Sequence, residues 1–76
     1  MDAQTYIDSN STAKLDWMKA ASDEEIREMN RQVHLIVRSM NKYSDSEDER
    51  RRWRKANAVE QQLYDWVRMG KPVWAQ

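Results

Sequence analysis

The densest group of side chains that could do chemistry is the stretch Arg50–Lys55, which reads RRRWRK. Its five cationic groups could bind phosphates, and the indole ring among them could stack on a nucleic-acid base. An acidic run precedes the stretch, however, and Glu47 stands four residues before Arg51, the order that favours pairing within one helix. Trp53 also falls on an apolar helical stripe. The pattern therefore favours a solvated charged helix face over a nucleic-acid site.

Catalysis and metal binding have little support in the sequence. His34 is the only histidine and cysteine is absent, so no set of converging metal ligands and no activated nucleophile is visible. The acidic run Asp45–Glu49 lacks the residue order and the turn glycine of a calcium-binding loop. A single glycine leaves no phosphate-cradling loop. We predict a protein that is not an enzyme and that needs no cofactor and no metal.

The basic stretch lies inside the longest predicted helix, which begins after Ser46 and ends at Gly70. Ser46 is a suitable N-cap, and Glu49 occupies the reciprocal position of a capping box. Gly70 suits a left-handed C-cap, and Pro72 cannot prolong the helix. Apolar residues recur between these ends at helical spacing, as Trp53, Ala56, Val59, Leu63, Trp66 and Val67.

A second predicted helix runs from Ser22 to Tyr43 and also starts with a capping box, formed by Ser22 and Glu25. Apolar residues follow at alternating steps of three and four, the spacing of a heptad seam. The two stripes predict an antiparallel helical hairpin joined at residues 41–45. The residues expected to hold this seam are Ile26, Met29, Val33, Ile36, Val59, Leu63 and Trp66.

The junction at residues 41–45 leaves an alternative open. It contains residues that favour caps and turns, but no glycine or proline that would enforce a stop. A continuous helix from Ser22 to Gly70, dimerising along its length, is therefore the competing interpretation.

Both ends of the chain are predicted to lie outside the hairpin. Residues 1–10 offer little to bury and are expected to form a flexible arm. A short helix capped by Ser11 or Thr12 is expected to follow, through Ala21. Residues 71–76 are expected to be extended because of Pro72, with Trp74 either folded back over the hairpin or presented to another protein.

The net charge is zero, but the charges are unevenly placed. Residues 1–49 carry six basic and eleven acidic side chains, whereas residues 50–76 carry seven basic and two acidic ones. The two parts are electrostatically complementary. We expect the basic helix to lie against the acidic remainder of its own chain or of a symmetry mate.

The fold class is therefore predicted to be all-α: an antiparallel hairpin with a short N-terminal helix, three helices per chain, in one domain spanning residues 1–76. Because a core of this size is only marginally stable and cysteine is absent, a homodimer is expected. Neither a membrane-spanning run nor a leader is visible, so we expect a cytoplasmic protein. Uneven charge and surplus aromatic residues predict a partner-binding surface formed by Leu35, Arg50, Arg51, Arg54 and Trp74.

From Lys14 to Trp74 the sequence predicts a short helix, a capped acidic helix and a longer basic helix that ends at glycine. This order resembles the dimerisation region of H-NS-type nucleoid proteins and their small Hha-type partners. That resemblance implies a modulator that pairs with a DNA-binding protein. From the residues themselves we predict a protein-protein interaction module: an adaptor, assembly factor or inhibitor of a larger protein. A nucleic-acid-associated modulator that uses Arg50–Lys55, directly or through such a pairing, is the alternative.

Overall fold

The computed structural model describes residues 1–75, and all regular secondary structure in that range is helical. Four α-helices follow one another there, α1 at Ala3–Asp8, α2 at Ser11–Ala20, α3 at Asp23–Ser39 and α4 at Glu47–Met69, with a 3-10 turn at Val73–Ala75. The all-α fold class is confirmed, but the predicted count of three helices is wrong because α1 was not foreseen. None of the described helices is long and apolar enough to cross a membrane.

Polar N-caps set the start of each helix. The side chains of Asp2, Asn10, Ser22 and Ser46 each accept a hydrogen bond from the backbone N–H three residues on. The predicted capping box of Ser22 and Glu25 is present in full, with both bonds at 3.1 Å. These bonds satisfy N–H groups that have no partner within the helix, so local sequence alone fixes where the helices begin.

Residues 40–46, which we call the connector, are not helical and separate α3 from α4. The Asn41 side chain accepts a bond from the Tyr43 N–H at 3.0 Å, and the Ser44 hydroxyl accepts one from the Ser46 N–H at 3.1 Å. Short polar side chains thus offer the backbone an alternative to helical bonding. The continuous helix from Ser22 to Gly70 is therefore wrong.

The two long helices pack together and contribute most of the core. Five of the predicted seam residues are buried, and Ile36 and Trp66 are only partly buried. Val37, which the heptad pattern did not include, is buried in place of Ile36. A straight helix with 3.6 residues per turn drifts away from a strict seven-residue repeat, so the buried stripe moves by one position toward the end of α3.

The predicted flexible arm at residues 1–10 is wrong. Residues 3–8 form α1, which packs against both α3 and α4 and buries Ala3, Tyr6 and Ile7. The Tyr6 ring also lies edge-on to Trp17 of α2, with 5.2 Å between ring centroids. A six-residue helix has no stability of its own in water, so α1 exists because its apolar face completes the core.

The tail also differs from the predicted extended segment, whose last residue lies outside the described range. Residues 73–75 form a 3-10 turn in which Ala75 is buried, while the side chain of Trp74 remains 61% exposed. The Ala75 N–H donates to the Pro72 carbonyl oxygen at 2.9 Å and closes the turn.

Replacing Ile7 by alanine tests the role of α1. Because Ile7 is only 2% exposed, we expect Ile7→Ala to lower the free energy of unfolding by about 2–5 kcal/mol, measured by urea denaturation. Gln4→Ala alters an exposed residue of the same helix whose side chain hydrogen-bonds to the exposed Asp8, and it should change this free energy by less than about 0.5 kcal/mol. Equal effects of the two substitutions would show that α1 does not contribute to the core.

Tyr6 gives a second test, because its hydroxyl is buried without a hydrogen-bond partner and burial raises the pKa of its phenol to about 12. Tyr6→Phe removes an unsatisfied polar atom and should leave stability at pH 7 unchanged or higher. The folded state binds the phenolic proton more tightly than the unfolded state, whose pKa is near 10. Stability of the parent protein should therefore fall as the pH rises from 10 to about 12.

The measurement is the urea midpoint of both proteins over that pH range. The Tyr6→Phe variant should lose less stability than the parent over this pH range, because it lacks the ionisable hydroxyl of Tyr6 and differs in nothing else. Parallel losses in the two proteins would rule out Tyr6 as the source.

Candidate partner-binding surfaces

Arg50 is partly occupied in holding the connector. It is half-buried, and its Nη1 donates to the Ser44 carbonyl oxygen at 2.6 Å. A charged donor on a backbone carbonyl makes a stronger bond than a neutral one. Arg50, which was predicted to face a partner, therefore has a structural contact as well.

The other cationic residues of the basic stretch face solvent, whereas Trp53 is partly buried against the core. Arg51 forms an exposed ion pair with Glu47 of its own helix at 3.4 Å, the spacing expected from the sequence. Arg52, Arg54 and Lys55 form no ion pair within residues 1–75. The acidic residues that precede α4 in the chain do not neutralise the stretch by direct pairing. Pairing with a symmetry mate stays a prediction.

Lys14 of α2 adds a further positive charge beside this stretch. The pKa of Lys14 is lowered, first by its partial burial and then by the nearby charge of Lys55, while Asp8 opposes the shift. Its ammonium donates to the Ser9 carbonyl oxygen. The fold therefore concentrates cations from two helices that are remote in sequence, which raises the local positive potential.

The tail folds back against α2 and α4. The ring of Trp74 meets Trp66 edge-on, with centroids 5.8 Å apart, and the Lys19 ammonium lies 5.4 Å from the Trp74 ring centroid. The Lys71 ammonium donates to the carbonyl oxygens of Lys19, at 2.8 Å, and of Ala21. These contacts favour the fold-back interpretation of the tail, although most of the Trp74 surface still faces solvent.

The predicted partner-binding residues are spread over the two long helices and the tail. Leu35 is exposed on α3, whereas Arg51 and Arg54 lie in the first third of α4. Trp74 lies beside Trp66, which follows Arg54 by twelve residues of helix, or about 18 Å along the axis. A partner that contacts both Arg54 and Trp74 must therefore span about that distance.

A depression at the connector was not foreseen. It has a volume of about 350 Å³ and is lined by Val37, Arg38, Met40, Asn41, Lys42, Tyr43 and Trp53. The Lys42 ammonium lies 5.2 Å from the Tyr43 ring centroid and 5.7 Å from that of Trp53. We call it the connector pocket. Its residues come from α3, the connector and α4, so only the adjacency of Lys42 and Tyr43 was visible in the sequence.

His34 joins the two long helices. Its Nδ1 lies 2.9 Å from Glu60 Oε1, within hydrogen-bond distance across the two helices. Glu60 Oε2 and Asn30 Oδ1 are buried there without hydrogen-bond partners. No group of three or more His, Cys, Asp or Glu side chains in residues 1–75 is placed to hold a metal ion. His34 thus occupies a structural position, pairing α3 with α4.

No protein-family model matches this chain, and neither a curated protein nor a solved structure matches it. The resemblance to H-NS-type and Hha-type proteins therefore depends on helix order and charge alone. That order is present as α2, α3 and α4, but α1 precedes it and is part of the same core.

Trp74→Ala tests whether the tail contributes to stability. Loss of the edge-on contact with Trp66 should lower the free energy of unfolding by about 1 kcal/mol, measured by urea denaturation. Val73→Ala is the control, because Val73 is 86% exposed in the same turn and should have almost no effect. Unchanged stability in the Trp74 variant would mean that the contact of Trp74 with Trp66 does not stabilise the fold.

Proposed function

We propose that this protein is a non-enzymatic protein-protein interaction module that acts as an adaptor, assembly factor or inhibitor of a larger protein in the cytoplasm. The observation that carries the proposal is the basic first half of α4, where Arg52, Arg54 and Lys55 are exposed and make no ion pair within the described chain. Charged groups left unpaired by the fold are available to steer and orient an oppositely charged protein.

Exposed apolar side chains support the same function. The chain has a total accessible surface of only 5337 Å², yet several large apolar residues are largely exposed on it. Tyrosine and tryptophan are over-represented among binding hot spots, and three of these exposed residues are aromatic. Within the described chain the exposed large apolar residues are Met1, Leu35, Tyr43, Tyr64, Met69, Val73 and Trp74.

The proposed scaffold for these groups is an antiparallel hairpin of α3 and α4. Ile26, near the start of α3, shares a depression with Trp66 and Val67, near the end of α4. His34 meets Glu60 midway, and Met40 shares a depression with Trp53 at the other end. Three levels of contact in reversed order support this arrangement. A rigid pair of helices holds interaction residues in fixed positions.

We further propose that the module is a homodimer. The acidic and basic parts of the chain are complementary, and a two-fold interface places the basic part of one copy against the acidic part of the other. Light scattering after gel filtration at several protein concentrations measures the mass directly. A mass equal to one chain at every concentration would exclude the dimer.

Charge reversal tests the proposed α4 surface. Arg51→Glu with Arg54→Glu should lower capture of partner proteins from extracts of the producing cells by about tenfold, measured by cross-linking and quantitative mass spectrometry. The control is Arg27→Glu with Arg31→Glu on α3. Each pair of substitutions removes one exposed ion pair, Arg51–Glu47 or Arg31–Glu28, and one arginine without an ion pair.

Thermal melts of both variants should stay close to that of the parent, because exposed ion pairs contribute little stability. If capture survives reversal at Arg51 and Arg54, or falls equally in the control, the basic side of α4 is not the binding surface.

The second candidate function is nucleic-acid-associated modulation through Arg50–Lys55, directly or by pairing with a DNA-binding protein of H-NS type. The observation in its favour is the proximity of Lys14 to Lys55, which extends the positive surface beyond α4. Binding of labelled duplex DNA and single-stranded RNA, followed by anisotropy over a range of salt concentrations, tests it. Tight binding that falls steeply with salt and is lost in Arg52→Glu with Lys55→Glu would favour this candidate over the first.

A further inference from the structure

The connector pocket combines an apolar floor with a cationic rim. Val37 is buried, and Met40 and Trp53 are partly buried, so they offer apolar surface at the base of the depression. Arg38 and Lys42 stand at its edge beside Tyr43, whose side chain is 81% exposed. We propose that the pocket binds a short acidic segment of a partner protein, in which an apolar side chain is flanked by carboxylates. This inference rests on the proposed interaction function and names the partner chemistry.

Charge complementarity is the first reason for this occupant. Arg38 and Lys42 form no ion pair within residues 1–75, and no acidic residue lines the pocket. The Lys42 ammonium lies between 5 and 6 Å from both the Tyr43 and the Trp53 ring centroids. Two ring faces hold the ammonium by cation-π attraction and leave its N–H groups available for a carboxylate.

The second reason is that the fold already holds the pocket in shape. Arg50 donates to the Ser44 carbonyl oxygen at 2.6 Å, and the Asn41 side chain accepts from the Tyr43 N–H at 3.0 Å. The Ser44 N–H also donates to the Asn41 carbonyl oxygen at 3.2 Å. A connector ordered before binding loses less entropy on binding, so a short segment gains affinity from few contacts.

The charges around the connector distinguish this occupant from a nucleic acid. The acidic run Asp45–Glu49 continues directly from the connector and repels an extended chain of phosphates. A segment with one or two local carboxylates meets the cations without crossing that run.

A second copy of the chain fits this pocket less well. In a two-fold contact centred on the pocket, Arg38 and Lys42 of one copy would meet the same cations of the other. A two-fold contact that sets the pocket of one copy against the acidic start of α3 in the other would close into a dimer, and the test below distinguishes this occupant from a peptide segment.

The test is selection of a displayed random peptide library on the full-length protein. We expect the selected peptides to carry an apolar residue flanked by Asp or Glu. One selected peptide is then synthesised with a fluorescent label, and its affinity is measured by anisotropy. Arg38→Gln with Lys42→Gln should weaken it by about tenfold or more, whereas Arg27→Gln with Arg31→Gln should leave it within about twofold.

Thermal melts and circular dichroism of both variants verify that they fold, and neutral glutamine in place of arginine and lysine keeps the change small. Tyr43→Ala should also weaken binding of the peptide, because it removes one of the two rings that hold the Lys42 ammonium. As this residue is exposed, its replacement does not open the core.

The inference is overturned if no peptide is selected, if the selected peptides are neutral or basic, or if the Arg38 and Lys42 substitutions leave binding unchanged. Loss of peptide binding only in the variant with Arg51→Glu and Arg54→Glu would refute the connector pocket as the binding site, but the proposed interaction function would still hold. Competition by single-stranded oligothymidine as strong as that by unlabelled peptide would assign the pocket to nucleic acid. A dimer that dissociates in the Arg38 and Lys42 variant, with no peptide selected, would assign it to self-association.

Discussion

The packing of α3 against α4 is the interaction on which the rest of the structure depends. Each helix is apolar along one side only, so neither helix is stable in water unless that side packs against the other. Because 76 residues supply a small core, the stripe that remains open between the two helices must also be covered. The helix α1 covers it with Tyr6 and Ile7, and α2 contributes Met18 to the same cluster. Every candidate surface is built on the outside of this arrangement.

Local signals in the sequence were sufficient for much of this fold. Ser22 with Glu25, Ser46 and Gly70 marked three of the four ends of the long helices, because caps depend on residues within three or four positions of each other. The fourth end was predicted wrongly, since α3 ends at Ser39 and not at Tyr43. The apolar stripes identified the core faces of α3 and α4. The prediction failed for α1, since six residues give too little periodicity to be recognised and α1 is ordered only through contacts with distant helices.

The candidate site was harder to foresee for the same reason. Leu35 and Arg54 are exposed, as expected from their positions on a helix. The connector pocket depends on Lys42 approaching Trp53, eleven residues away, and that approach requires the chain to turn after Ser39. A continuous helix would have placed the two about 17 Å apart along its axis. The connector pocket therefore exists only because the helix ends at Ser39 and the chain turns at the connector.

The bonds from Lys71 to the carbonyl oxygens of Lys19 and Ala21 join residues 52 and 50 positions apart in sequence. They bind the end of α2 to a segment that the ribosome makes only after α4. During synthesis, α2 therefore lacks this anchor until residue 71 has been added. Contacts of such long sequence separation form late and slow the folding of small domains. The position of α2 thus depends on a segment that is made only after both long helices.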